Sequence, residues 1–360
     1  MFLQENHPMP DVRCTSKPQR ATASIPGVLL VTVPNTPAGA AISVVEPRLD
    51  AKPWGGQALR RFGLPIGGAE TIGEALVTAN DARVMAGLGT GKTLGEIIRE
   101  QPDTFLGPSG LRVTGERAIF PLLVKLIDAN ENLSIQVHPD DARAAAFDKT
   151  GKTEAWYVLD ATSNARLYLG LRDPQSFDDF IAAADRLDGS SASTLRAIHP
   201  VAGETYLLPA GTIHALGAGV MVYEIQQPSD ITYRLDDWGR VDAQGNPREM
   251  HREAGLAVSD PALQPEAIQP VRLNDEEITR DLLVTSNWFA LERWKTASPE
   301  VAGGIPGETG PQVLTVLEGS LVAGGVVLGS GHSLVLWPSR EPTSVVLERA
   351  TVLRAFIPED

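Results

Sequence analysis

The stretch Gly203-Glu-Thr-Tyr-Leu-Leu-Pro209-Ala-Gly211-Thr-Ile-His214-Ala-Leu-Gly-Ala218 decides how this chain folds. Residues 204–208 read as a strand that stops at Pro209, because proline has no N–H to give to a ladder. Pro209 and Gly211 make a tight turn between two barrel strands. His214 then opens the returning strand, where its side chain can point inward.

Upstream, residues 133–141 read Leu-Ser-Ile-Gln-Val-His-Pro-Asp-Asp. Alternate residues of a strand face the same side, so Gln136 and His138 share one face while Ile135 and Val137 share the other. Alone, this is either a hydrogen-bonded polar pair or half of a binding site. Residues 151–159 read as the next strand, with Glu154 at its entrance. With His214 these residues offer two imidazoles, one carboxylate and one amide oxygen. Such a set suits a borderline divalent metal such as zinc with an open position, not a closed thiolate site.

The rest of the chain is β-rich. Strands are expected at 42–46, 121–127, 165–171, 220–226 and 231–234, with a single short helix at 94–99 capped by Thr93. Residues 174–200 read as a small helical insertion. A proline-marked linker spans 260–275. Seven short strands follow, at 282–285, 289–295, 312–318, 320–322, 332–337, 344–347 and 351–356, with glycine-marked turns like those of a small barrel or jelly roll. Residues 1–40 are rich in Pro, Ser, Thr and Ala and read as a poorly ordered leader with one short strand near 28–33. Leu88-Gly-Thr-Gly-Lys-Thr93 imitates a phosphate loop, but Ala86 stands where that pattern needs its first glycine.

The 360 residues include a single cysteine, Cys14, which rules out an intrachain disulfide and any multi-thiolate zinc site. A reducing, cytoplasmic setting is the expectation. A formal net charge of −14 argues against nucleic acid and anionic membranes as partners, and no apolar run is long enough to span a bilayer. Local cations can still receive a small anion, because the overall field is screened within roughly 10 Å. Lys125, inside an apolar strand, either reaches the sheet edge or pairs with an anion, since an unpaired buried ammonium is costly.

The 203–218 segment resembles the second motif of cupins, with Ala218 where that motif ends in Asn. Gln136-x-His138 with Glu154 resembles a first cupin motif whose usual first His is Gln, a hallmark of type I mannose-6-phosphate isomerases. The similarity also runs through Lys52-Pro-Trp-Gly-Gly56 and Tyr223-Glu-Ile-Gln-Gln-Pro-Ser-Asp-Ile-Thr-Tyr-Arg-Leu-Asp-Asp-Trp-Gly-Arg240, and covers roughly residues 42–357.

The resemblance implies a mainly β fold, a double cupin of two jelly-roll barrels with the helical insertion. A metal-binding catalytic domain would span 41–260, and a cupin-like domain without a metal site would span 261–360. It implies one zinc ion per chain on Gln136, His138, Glu154 and His214. It makes Arg234 catalytic, with Glu224 and Lys152 as further catalytic residues, and Lys125 and Arg240 as substrate-binding residues. The reaction implied is reversible isomerisation of mannose 6-phosphate and fructose 6-phosphate through an enediol. The alternatives are a non-catalytic sugar-phosphate-binding or regulatory cupin, or another metal-dependent cupin enzyme. Nothing in the sequence sets the oligomeric state.

Overall fold

The computed structural model describes residues 28–30, 41–68, 70–115, 117–241, 244–274 and 276–359. The leader expected over 1–40 lies outside them, apart from a short strand, Val28–Leu30, antiparallel to Val326–Gly329. The fold is mainly β, as expected of a cupin-like chain, and is built from three antiparallel sheets.

Seven strands form the central sheet, in the order Ala267–Ile268, Thr205–Leu208, Glu154–Ala161, Val220–Gln226, Leu123–Ala129, Glu74–Thr78 and Arg48–Asp50. Facing it is a five-stranded sheet, in the order Leu195–Ile198, Leu167–Leu171, His214–Leu216, Ile135–Val137 and Tyr233–Asp236. Trp156, Val158, Leu208 and Val222 of the first interdigitate with Leu167, Leu169 and Leu216 of the second. The opposite face of the seven-stranded sheet carries Val124, Leu126, Ala155 and Ile225, which pack on Leu283, Phe289, Leu291 and Leu353. Burial on both faces is why its central strands read as apolar runs rather than as alternating patterns. The outer face of the five-stranded sheet is covered as well. Ile135, Val137 and Leu235 lie under Phe180, Ala184 and Val258, from helices Phe177–Ala184 and Arg252–Val258.

The C-terminal strands form an eleven-stranded sheet with its own core of Val301, Leu314, Leu328, Leu347 and Val352. Three strands from the first ninety residues complete it, Val28–Leu30, Ile42–Glu46 and Arg83–Gly87. Ile42–Glu46 pairs with both Ser333–Leu336 and Arg83–Gly87. A boundary at 260 therefore does not separate the sheets, because strands of the two expected units interleave along the sequence.

Several elements differ from expectation for identifiable reasons. Leu195–Ile198 is a strand, not helix, because it pairs as the edge strand with Leu167–Leu171 and buries Leu195. The Thr93 capping box starts helix Leu94–Glu100, and a second helix, Pro102–Thr114, follows directly. Its pattern is masked by a kink at Gly107 (φ 59°) ahead of Pro108. The expected pairs 312–318 and 320–322, and 344–347 and 351–356, are single long strands, Gln312–Ala323 and Thr343–Phe356. Gly319 (φ 71°) and Arg349 (φ 45°) mark bulged, irregular register between those two strands rather than turns. Strand Glu300–Ile305 was hidden by Gly303 and Gly304. No helix among the described residues is long and apolar enough to cross a membrane.

Candidate active site

Strand register lines up the site residues. On the five-stranded sheet, Arg234, Gln136 and His214 are consecutive cross-strand partners. On the facing sheet, Lys125 pairs with Glu224, which pairs with Trp156, and one step along Gln226 pairs with Glu154. Residues opposite one another in a ladder share a face, so the two rows look at each other across the barrel. His138 lies just past its strand. Its carbonyl accepts the Gly211 N–H at 2.8 Å, locking the end of that strand to the Pro209–Gly211 turn, where Gly211 adopts φ 93°.

His138, Glu154 and His214 are all buried, and one ligand atom from each lies within 4.8 Å of the others. Their surroundings fit a metal. His138 Nδ1 is 2.8 Å from the Ile231 carbonyl and His214 Nδ1 is 2.9 Å from the Thr212 carbonyl. Each carbonyl holds the Nδ1–H tautomer and turns the Nε2 lone pair to the centre. His214 Nε2 is 3.2 Å from Glu154 Oε1, and His138 Nε2 is 3.5 Å from Oε2. Neither oxygen of this buried carboxylate receives a directed hydrogen bond, although Lys152 Nζ is 2.9 Å from Oε2. A buried carboxylate without such donors beside two oriented imidazoles is the donor set of a divalent cation. The Gln136 amide adjoins it, with Nε2 3.2 Å from His214 Nε2. Half a turn of that amide would present its oxygen instead.

The electrostatics agree. Burial alone would raise the Glu154 carboxyl, but Lys152, then His138 and His214, outweigh it and hold it well below the usual carboxylate range. Burial, reinforced by the Lys152 ammonium, keeps His138 neutral by pushing it well below the usual imidazole value. A neutral imidazole and an ionised carboxylate are the forms a metal needs.

Lys125 pairs with an anion rather than reaching solvent. Its Nζ is 2.8 Å from Glu224 Oε2 and donates to Gln226 Oε1 at 3.2 Å. Burial opposes its charge, but Glu224 and then Glu74 more than compensate and raise its pKa. The Trp156 indole N–H donates to the other Glu224 oxygen at 3.1 Å. Lys152 Nζ is also 3.0 Å from His138 Nε2, so the ammonium already sits as a cation against two ligand atoms. Arg234 is half-buried and donates from Nη1 to the Glu249 carbonyl at 2.6 Å. Arg240 donates to the Asn132 carbonyl at 2.6 Å and pairs with Asp237.

Comparison with known proteins places this arrangement. Residues 45–175 match the family model "Phosphomannose isomerase type I, catalytic domain". The mannose-6-phosphate isomerase of Streptococcus mutans is 35% identical over 70% of this chain and 78% of its own length. The chain belongs to the type I phosphomannose isomerase family. A Bacillus subtilis relative named "Probable mannose-6-phosphate isomerase GmuF" is 35% identical over 80% of this chain and 88% of its own length. The solved mannose 6-phosphate isomerase of Bacillus subtilis superposes with a TM-score of 0.75 at 31% identity, over 88% of this chain and all of that one.

The matched phosphomannose isomerase segment contains Lys125, Gln136, His138, Lys152 and Glu154, whereas His214, Glu224, Arg234 and Arg240 lie beyond it. The structure brings eight of these nine into the two facing rows or the cluster between them. Arg240 stands apart, on the turn after strand Tyr233–Asp236. Sequence reasoning missed the supporting atoms. The Ile231 and Thr212 carbonyls carry no residue-type signal. Trp156 and Gln226 do carry one, since each lies two positions along its strand from Glu154 or Glu224 and must share that residue's face. Trp54, in the Lys52–Gly56 turn, packs in the barrel core, and Lys52 pairs with Glu74 at 3.3 Å.

Proposed function

We propose that this chain interconverts mannose 6-phosphate and fructose 6-phosphate in the cytoplasm, using one zinc ion held by Gln136, His138, Glu154 and His214. The observation that carries this reading is the buried His138–Glu154–His214 cluster, with both imidazoles pre-oriented and His214 in the same cross-strand row as Arg234. The bound ion would supply Lewis acidity to the oxygens on C1 and C2.

The reaction moves a proton from C2 of the aldose to C1 and a hydroxyl proton from O2 to O1. It needs no electron acceptor. Glu224, aimed by Lys125 and Trp156, and Lys152, beside the cluster, are the proton carriers. Arg234 places a fixed positive charge beside Gln136, where negative charge develops on the substrate oxygens. Lys125 and Arg240 bind the substrate as cations. The apolar walls around Trp156 and Leu169 exclude competing water.

A coupled assay for fructose 6-phosphate, run before and after chelation, tests the reading. Activity abolished by the chelator and restored by zinc is expected. No product with zinc supplied overturns it, as does purified protein carrying iron and consuming oxygen.

A further inference from the structure

We propose that Arg248 is a second guanidinium of the substrate-phosphate pocket, beside Arg240, held in place by the buried carboxylate of Asp237. The proposal rests on the sugar-phosphate reading above and adds a residue to it.

Asp237 is 1% exposed, yet two arginines share it. Arg248 donates from Nε to Oδ2 at 2.6 Å and from Nη2 to Oδ1, and Arg240 donates from Nη2 to Oδ1. The turn that presents Asp237 is tightly determined. Trp238 sits at φ 61°, a costly conformation for a bulky residue. It is held by its N–H on Asp236 Oδ1 at 3.0 Å and its indole N–H on the Leu133 carbonyl at 2.6 Å. Asp236 is itself buried and accepts from Ser191 Oγ at 2.5 Å and from the Gly189 N–H.

The segment 248–251 is docked on Arg234. The Glu249 carbonyl accepts Arg234 Nη1, the His251 N–H donates to the Arg234 carbonyl at 2.9 Å, and His251 Nδ1 accepts the Arg234 N–H at 3.2 Å. Arg248 and Arg234 are thus parts of one rigid unit. Arg234, Arg240 and Arg248 meet two carboxylates, the buried Asp237 and the exposed Glu249, which leaves an excess of one positive charge in a chain whose net charge is −14. The Nε atoms of Arg234 and Arg240 are buried without a hydrogen-bond partner. Stability does not explain such a cluster, because like charges brought together out of water repel. Burial and then Arg248 lower the pKa of Arg234, so the repulsion reaches that side chain. A phosphate monoester, an anion with three acceptor oxygens at neutral pH, complements both the excess positive charge and the unpartnered Nε donors.

The test uses the zinc-loaded full chain, with inorganic phosphate as the probe by isothermal titration and mannose 6-phosphate in the coupled assay. Arg248→Gln should weaken phosphate binding and raise KM by about tenfold or more, the scale of one lost charge-assisted contact, while zinc content stays within error and the melting temperature falls only modestly, because Arg240 still pairs with Asp237. Arg248→Lys keeps the charge but not the two-point hold on Asp237, and should fall between. If Arg248→Gln loses zinc or does not fold, Arg248→Lys decides by the same readouts. Unchanged phosphate affinity in the folded variant overturns the proposal. Phosphate binding through Arg248 in a wild type without isomerase activity would instead sink the functional reading and leave this one standing.

Discussion

Arg234 stands directly opposite Gln136 on the neighbouring antiparallel strand, and Gln136 in turn stands opposite His214. A side chain with permanent charge is thereby placed next to the candidate metal cluster by backbone register, and the Glu249 carbonyl holds its far end. Register of this kind is insensitive to single side-chain changes, so site variants should separate loss of chemistry from loss of fold.

His214→Ala removes one of the two oriented imidazoles. Zinc affinity should fall by more than the roughly 10–100-fold that loss of an outer partner costs, and turnover should vanish with it. Metal analysis after dialysis, beside the coupled assay, checks both. A variant that retains stoichiometric zinc and full rate means the ligand assignment is wrong.

Lys125→Met leaves Glu224 buried with only Trp156 and no cation. Breaking one side of a buried ion pair costs on the order of 3 kcal/mol. The midpoint in urea should drop accordingly, and kcat should fall because Glu224 loses its orientation. An unaltered midpoint would show that the pair contributes nothing to stability.

Asp141 ties three segments together. Its Oδ1 accepts the Gly151 N–H at 2.7 Å and Gln227 Nε2 at 3.0 Å, and its Oδ2 accepts the indole N–H of Trp288, from the C-terminal sheet region, at 3.0 Å. Gly151 immediately precedes Lys152. Asp141→Ala should cost roughly 1–3 kcal/mol, the usual penalty for leaving buried donors unpaired, and should reduce kcat through a displaced Lys152. Thermal melts and kinetics measure the two effects, and a variant with normal kcat would show that Lys152 is positioned by other contacts.

Two groups make the metal-free protein acid-sensitive. His138 is pushed well below 6.5 in the fold, so below pH 6.5 the unfolded chain takes up a proton that the native state refuses. The unfolded state then binds more protons, and stability falls as pH drops. Glu154 is held well below 4.5, so a second loss begins near that pH and continues as pH falls toward its folded value. Urea midpoints of chelated protein between pH 8 and 4 should decline in that order. A flat profile from pH 7 to 5 would mean that His138 is not buried neutral.

The candidate metal cluster and the neighbouring Gln136 were legible because these residues obey strand periodicity. Gln136, His138 and Glu154 sit where alternation puts them inward, and Pro209 with Gly211 announces the turn before His214. The row of polar residues on Val220–Gln226 was harder to read, because burial on both faces of its sheet erases the contrast between inward and outward positions. Leu195–Ile198 was misjudged because a polar edge strand is defined by its neighbour, not by its own pattern. Helix Pro102–Thr114 was lost to a Gly-Pro kink. The clamp of Arg248 and His251 on the turn after Arg234 joins residues that are distant in sequence, and no local signal marks it.

The pairing of Ile42–Glu46 with Ser333–Leu336, reinforced by the Trp337 indole N–H on Ser43 Oγ at 2.8 Å across 294 residues, bears on how the protein is made. This strand can pair early with Arg83–Gly87, but its other edge has no partner until Ser333–Leu336 has been made. Val44, which packs in the C-terminal core, waits for that partner with part of its apolar surface uncovered, and closing so long a loop is entropically slow. Closure of the C-terminal sheet is therefore a late step of folding. A chain interrupted near residue 260 would present an unpaired, sticky edge, making aggregation of the fragment the expected fate rather than release of a working half.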